Sequence, residues 1–271
     1  MNPDLWALRG FSKRIATQQE IETTKPFYKK GGGKNARTGI LFIHGFSVTP
    51  ANFKEYANLL AEQGYTVSIP LLPGHGQQPE ALLSVSWLDW LDAVIHAYDQ
   101  LHKDCEKIFV TGISLGSALA LHLSLKRQDI AKLFLLAPAV YPIMLLKIGR
   151  NVIFPILKFF GISYWLHVAG DVKKKSAFEL GYAKVALNGM YELYHCMNET
   201  QKILPQVKGN VLIFQGKKDH EVPPKKALDI YDLLGTQTKE LVWLDNAYHE
   251  IPRDFDCDIV YQRILKDILH E

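Results

Sequence analysis

Six short runs of apolar and β-branched residues, at 40–44, 66–69, 108–111, 133–137, 211–215 and 241–244, are separated by longer stretches, several of helical periodicity. Most runs are apolar on both faces. That suits strands of a parallel sheet covered on both sides better than a sheet with one wet face. The stretches 51–63, 87–102 and 115–127 carry apolar residues at helical spacing. Such strand–helix alternation predicts an α/β fold, a mostly parallel, doubly wound sheet with helices on both faces.

The alternation breaks once. From 138 to 208 no strand-like run is found and the pattern reads as helical, with 10 of the chain's 30 aromatic residues. Both ends fall between strands, so this segment is expected to be a helical cap inserted over the sheet. The domain reading is a basic N-terminal segment (1–39), an α/β core (40–137 and 209–271) and the cap insertion (138–208). The glycines 31–33, with basic flanks, read as a flexible turn into the first core strand.

Composition removes several function classes. With 48% hydrophobic and 22% charged residues the chain is neither disordered nor a coiled coil. Residues 1–39 hold 8 Lys/Arg against 3 Asp/Glu, and 138–208 hold 9 against 4, so the body of a chain of net charge +3 is acidic. Without a nucleic-acid-binding motif, no nucleic-acid partner is expected. Cys105, Cys196 and Cys257 are far apart and show no metal-ligand spacing, which predicts neither a disulfide framework nor a metal site. Asp4 and Arg9 interrupt any secretory signal, and Lys147, Arg150, Pro155, Lys158 and His167 interrupt the most apolar region, 140–169. A soluble, cytoplasmic protein is expected.

The chemistry centres on Gly112-Ile113-Ser114-Leu115-Gly116, a G-x-S-x-G sequence entered by a strand pattern and left by a helical one. A serine on a sharp strand-to-helix turn needs small neighbours two residues either side, because a side chain there clashes across the turn. A serine hydroxyl is a weak nucleophile and needs a base oriented by an acid. In this architecture both follow in later loops, the acid first. Asp219 follows the strand ending at 215, and His249 follows the strand ending near 244. His220 and Asp245 are rivals, but His220 adjoins Asp219 and Asp245 is close in sequence to His249. The oxyanion donors expected are the backbone N–H groups of Leu115, after the nucleophile, and Phe46, in the loop after an early strand. His44 is expected to be a structural turn residue.

These residues resemble the α/β-hydrolases of the monoacylglycerol lipase and small bacterial carboxylesterase group. The similarity is carried by Phe42-Ile43-His44-Gly45-Phe46, Pro73-Gly74-His75-Gly76, the elbow from Phe109 to Gly116, Asp219-His220-Glu221-Val222-Pro223-Pro224 and Asn246-Ala247-Tyr248-His249. It implies an α/β-hydrolase fold, a triad of Ser114, Asp219 and His249, an oxyanion hole at Phe46 and Leu115, a structural His75, and no metal or organic cofactor. Ser117 stands where many relatives carry a second glycine.

The implied function is a serine carboxylester hydrolase acting on monoacylglycerol-like or other simple acyl esters. Two alternatives stay open: another acyl bond (amide, thioester, lactone) on the same triad, and a non-catalytic hydrolase-fold module binding a small apolar ligand. In the cap, Lys147, Asn151 and Lys158 fall together at helical spacing beside Arg150, opposite Ile, Leu and Phe, with Pro155 dividing the pattern into two short helices. Either this is a lip that docks on lipid aggregates, or the apolar side packs on the core and the cations are its solvated face. The sequence does not decide the oligomeric state.

Overall fold

The computed structural model describes residues 5–9, 12–142, 148–166 and 170–270. A seven-stranded sheet forms its centre, in the order β12–β11–β7–β6–β4–β5–β3. Six strands are parallel: β4 (Thr38–Ile43), β5 (Thr66–Ile69), β6 (Lys107–Ile113), β7 (Ile130–Leu136), β11 (Val211–Gly216) and β12 (Lys239–Leu244). These are the six runs expected, within a few residues at their ends. The edge strand β3 (Phe27–Lys29) runs antiparallel to β5; three residues are too short a run to read as a strand.

Helices cover both faces, as the apolar runs require. Helix α3 (Trp87–Asp104) starts at a capping box of Ser86 and Asp89 and buries Trp90, Leu91, Val94, Ala97, Tyr98 and Leu101 along one stripe. With α4 (Leu115–Lys126) it packs on one face of the sheet, in a cluster including Ile43, Val110 and Leu135. Helix α4 is buried on all sides from Leu115 to Leu123, because α6 (Leu187–Ile203) closes over it. On the opposite face α2 (Lys54–Glu62) and α8 (Cys257–His270) pack Tyr56, Leu60, Tyr261 and Ile264 against Phe42, Phe109 and Phe214. Helices α1 (Gln18–Thr23), α5 (Phe154–Phe159) and α7 (Lys225–Leu233) complete the eight among the described residues.

Two expectations need correction. The 138–208 segment is not helical throughout: besides α5 and α6 it holds β8 (Tyr164–Leu166) paired with β10 (Lys184–Ala186), and β9 (Glu179–Tyr182). The N-terminal strands β1 (Leu5–Arg9) and β2 (Ser12–Ile15) form a hairpin, and β1 pairs antiparallel with β9. Strands of three or four residues, paired with partners distant in sequence, leave no periodicity to read. Nor is the 31–33 stretch free: Gly31 N–H donates to Thr66 Oγ1 and Gly32 N–H to Gly64 O, and a Cβ on Gly31 would stand 2.1 Å from Gly64 O. Among the described residues no helix is long and apolar enough to cross a membrane.

Candidate active site

The chain runs from β4 outward to β5, then returns to β6 on the other side of β4. The carboxyl ends of β4 and β6 therefore flank the switch point of the sheet, where α/β folds bind their ligands. Ser114 stands there, between β6 and α4, at φ 53° and ψ −116°. Such a backbone is strained for a non-glycine residue and holds the side chain out of the turn. The elbow is tied down by its neighbours: Ser114 N–H donates to Leu136 O, and Ser117 Oγ donates to Gly112 O at 2.7 Å and lies 3.1 Å from Leu136 O. The serine in place of a second glycine thus fastens the elbow to itself and to the end of β7. The flanking glycines are sterically required. A Cβ on Gly112 would stand 2.3 Å from the Gly116 backbone, and one on Gly116 would stand 2.1 Å from Ile43 O.

The turn after β4 lies against Ser114, for a Cβ on Gly45 would stand 3.5 Å from Ser114 Cβ. His44 within it is fully buried and hydrogen-bonded through both ring nitrogens: Leu72 N–H donates to Nε2, and Nδ1 contacts Gly45 O at 2.8 Å. Burial, then the neighbouring His75, hold its pKa well below the usual range. His75 is likewise lowered by burial, to about 4. Both are neutral structural imidazoles, as expected. Leu115, the first residue of α4, presents an N–H that the helix itself cannot use. The Phe46 ring packs against His75 and Trp90. The next residue, Ser47, has φ 62°, and its carbonyl accepts from Tyr182 N–H of β9 at 3.1 Å. A Cβ on Gly181 would stand 2.4 Å from that carbonyl. Strand β9 is therefore wedged between the N-terminal hairpin and this turn.

Asp219 and His249 meet. His249 Nδ1 is 2.9 Å from Asp219 Oδ2, and both side chains are buried. Asp219 also accepts from Glu221 N–H, Val222 N–H and Gln215 Nε2. Burial opposes its charge, but His249 and these donors outweigh it and keep the carboxyl below its usual range. For His249 burial disfavours the cation, yet Asp219, Glu221 and Glu250 together hold its pKa well above 6.5. Ser114 Oγ and His249 form no hydrogen bond among the described residues; Nε2 instead faces Glu221 Oε2 at 3.6 Å. The loops are nonetheless coupled. Ser114 O accepts from Ala139 N–H, and Ala139 shares an apolar cluster with Val222.

The rivals stand elsewhere. His220 pairs with Asp171 at 2.7 Å, largely exposed, and Asp245 pairs with Lys217 on the surface. Sequence reasoning missed the carboxyl groups around His249. Glu179 and Glu250 are buried and hydrogen-bonded to each other, and burial first, then mutual repulsion, raises Glu250 far above its usual range. Asn52 Nδ2 donates to Glu250, and Gly170 N–H to Glu179. Glu221 is raised to about 8, by burial first and then by the carboxylates around it, against the pull of His249. Asp254, fully buried, accepts from the N–H groups of Lys173, Lys174, Tyr248 and Phe255 and so sets the His249 loop. The one available signal was adjacency: Glu221 and Glu250 lie within two residues of the expected acid and base. Among the described residues no group of three or more His, Cys, Asp or Glu is disposed to hold a metal ion.

A serine at a strained elbow, linked through Ala139 and Val222 to the loop of a buried aspartate–histidine pair, is an arrangement that can serve acyl transfer. Residues 34–256 match the family model described as serine aminopeptidase, S33. The thermostable monoacylglycerol lipase of Bacillus sp. (strain H-257) is 32% identical over 247 residues, 91% of this chain and 94% of that protein. The carboxylesterase of Bacillus subtilis (strain 168) is 26% identical over 246 residues, 90% of this chain and 96% of that one. A solved structure from work on LipS and LipT, two metagenome-derived lipolytic enzymes, superimposes with a TM-score of 0.84 at 29% identity, over 92% of this chain and 98% of its own. The chain belongs to the serine aminopeptidase S33 family of α/β-hydrolases and is a carboxylester hydrolase of the monoacylglycerol lipase and carboxylesterase group.

Proposed function

We propose that the protein cleaves monoacylglycerol-like or other simple acyl esters through an acyl-enzyme on Ser114. The observation that carries this reading is the buried Asp219–His249 pair serving a serine at φ 53°. Ser114 Oγ attacks the ester carbonyl carbon while His249 Nε2 takes its proton. The Phe46 and Leu115 N–H groups hold the oxyanion. The tetrahedral intermediate then expels the alcohol, which leaves with the proton from Nε2. Water attacks the acyl-enzyme with His249 again as base, and the acid departs. Asp219 fixes the imidazole tautomer and stabilises its cation. To act, Nε2 turns from Glu221 to Ser114, a tightening that substrate binding brings about in many hydrolytic sites.

On this reading 138–208 is a cap on the 40–137 and 209–271 core, and its outer face touches lipid aggregates. Ile148, Val152 and Ile156 fall four residues apart and are about half exposed, and Phe159 and Phe160 are 84% and 71% exposed. The cations are not simply their solvated counterface: Arg150 and Lys158 lie over the rings of Tyr194 and Tyr191. Part of the expected amphipathic stretch, 143–147, lies outside the described residues. Outward-facing apolar side chains support contact with water-insoluble esters.

The test is hydrolysis of p-nitrophenyl esters from acetate to long acyl chains, with Ser114→Ala as control and fluorophosphonate labelling alongside. Ser114-dependent turnover with labelling at that residue is expected. Turnover that survives Ser114→Ala refutes the assignment. Failure to co-sediment with liposomes at low salt removes the lipid-contact part alone.

A further inference from the structure

We propose that Asp171 is a positioning residue of the hydrolytic site: reaching in from the 138–208 segment, its carboxylate ties the Asp219 loop to the His249 loop and sets the spacing at which acid and base meet. This rests on the reading of Ser114, Asp219 and His249 as an ester-cleaving set.

Asp171 stands between β8 and β9, outside the parallel sheet. It follows Gly170 at φ 79°, a left-handed backbone that glycine adopts at no steric cost. That stretch is itself held, for Gly170 N–H donates to Glu179 at 2.5 Å and Val172 N–H to Gly170 O at 2.9 Å. From there the carboxylate faces two loops at once. Oδ2 accepts from His220 N–H at 2.9 Å and from His249 N–H at 3.3 Å, and Oδ1 lies 2.7 Å from His220 Nδ1. The carbonyl of Asp171 accepts from Glu250 N–H at 3.1 Å. The residue after the acid, and the base itself, thus share one oxygen.

Two N–H groups on one oxygen cannot part without a bond breaking. The 2.9 Å contact of His249 Nδ1 with Asp219 Oδ2 depends on that spacing, since such bonds fade beyond about 3.2 Å. A carboxylate suits the task, because it accepts from several donors and its charge-assisted bonds are the stronger kind. The Asp171 side chain is only 15% exposed, so water screens these bonds little. The other donors to Asp219 come from Gln215, Glu221 and Val222, close to it in the chain. They orient its carboxylate but do not reach the His249 loop. Asp254 joins Tyr248 N–H to those of Lys173 and Lys174, so residues 171–174 grip the His249 loop at two points. His220, a rival base in the sequence, is here the handle by which Asp171 holds the acid loop. The 138–208 segment and the Asp219–His249 pair therefore cannot shift independently.

The test compares the parent, Asp171→Ala and Asp171→Asn on p-nitrophenyl butyrate from pH 5 to pH 9, with a thermal melt of each and Ser114→Ala as control. Asp171→Ala should lower kcat about 10–100-fold with KM little changed, as a small misplacement of catalytic groups does. Its kcat/KM limb should also move to lower pH: burial disfavours the His249 cation, and a loosened Asp219 no longer offsets that. Asp171→Asn keeps the shape and one oxygen for the two N–H groups and should recover most of the lost kcat. Any acid shift it shows measures the lost charge alone, and the alanine shift must exceed it. A lower Tm with kcat and limb unmoved, a loss confined to KM, or an asparagine protein as slow as the alanine one overturns the proposal. Should Asp171→Ala not fold, Asp171→Ser, whose shorter side chain cannot reach both N–H groups, takes its place in the same comparison. If the parent shows no Ser114-dependent turnover, the ester-cleaving reading fails first; if it does and Asp171→Ala matches it, only this proposal falls.

Discussion

Gly116→Ala probes the elbow directly. The new Cβ would stand 2.1 Å from Ile43 O, 2.7 Å from Ile43 C and 2.8 Å from His44 O. Those are backbone atoms, so no side chain can swing aside. Relief needs the start of α4 and the end of β4 to part by roughly 1 Å, given ordinary non-bonded contact distances. The two elements carry the two proposed oxyanion donors, Leu115 on α4 and Phe46 just past β4. Parting them by that amount stretches one donor from about 2.9 Å to beyond hydrogen-bonding range. Loss of one such donor costs about 2.7–4 kcal/mol, or 10²–10³ in kcat. Overpacking costs a further ~1–3 kcal/mol of stability, a fall in Tm of several degrees that leaves the protein folded at 25 °C. The assay is kcat on a soluble p-nitrophenyl ester with a circular dichroism melt on the same preparation. A folded Gly116→Ala protein with kcat within threefold of the parent would refute the placement of the oxyanion hole across the β4–α4 contact.

Three further outcomes are expected. His249 must be neutral to take the Ser114 proton, and its pKa is held well above 6.5, so kcat/KM should rise with pH through a limb above 6.5; a profile already flat from pH 6 contradicts this. Gly181→Ala would place a Cβ 2.4 Å from Ser47 O and should lower kcat about tenfold or more through the displaced turn, whereas an unchanged kcat would mean β9 does not position it. Glu250 is raised well above 4.5 in the folded chain; its stabilising contribution is full below pH 4.5 and is lost as pH rises through the folded-state value. Tm of the parent should therefore drop from pH 5 to pH 9 relative to Glu250→Gln, and parallel curves would refute the buried acid pair.

The parallel sheet was legible because its inner strands are buried on both faces, and even the half-buried edge strand β12 keeps the apolar run Leu241–Leu244, so local apolarity marks it. The elbow was legible for a steric reason, since only glycine fits at 112 and 116. Asp219 and His249 could be placed because the strands before them fix which loops reach the end of the sheet. The short strands β1, β2, β3, β8, β9 and β10 escaped notice, for their pairing depends on partners far away in the chain. Glu179 and Glu250 escaped for a similar reason: a carboxyl group looks solvated in a sequence until the fold buries it against another. The outward face of Ile148, Val152 and Ile156 is a third case, where periodicity shows that a stripe exists but not which way it faces.

The pairing of Leu5 with Tyr182 and Leu8 with Glu179 also sets a timetable. A chain made from its N-terminus completes β4, β5 and β6 long before β9 is synthesised, and at roughly 5–20 residues per second the hairpin waits many seconds for its partner. Contacts so distant in sequence form late and are entropically costly to close. The β9 wedge that holds Ser47, and the His249 loop still further along, can be assembled only once most of the chain is made. On the proposed roles, the Ser114 turn would be in place before Asp219 and His249, and the nascent chain would carry its serine without them.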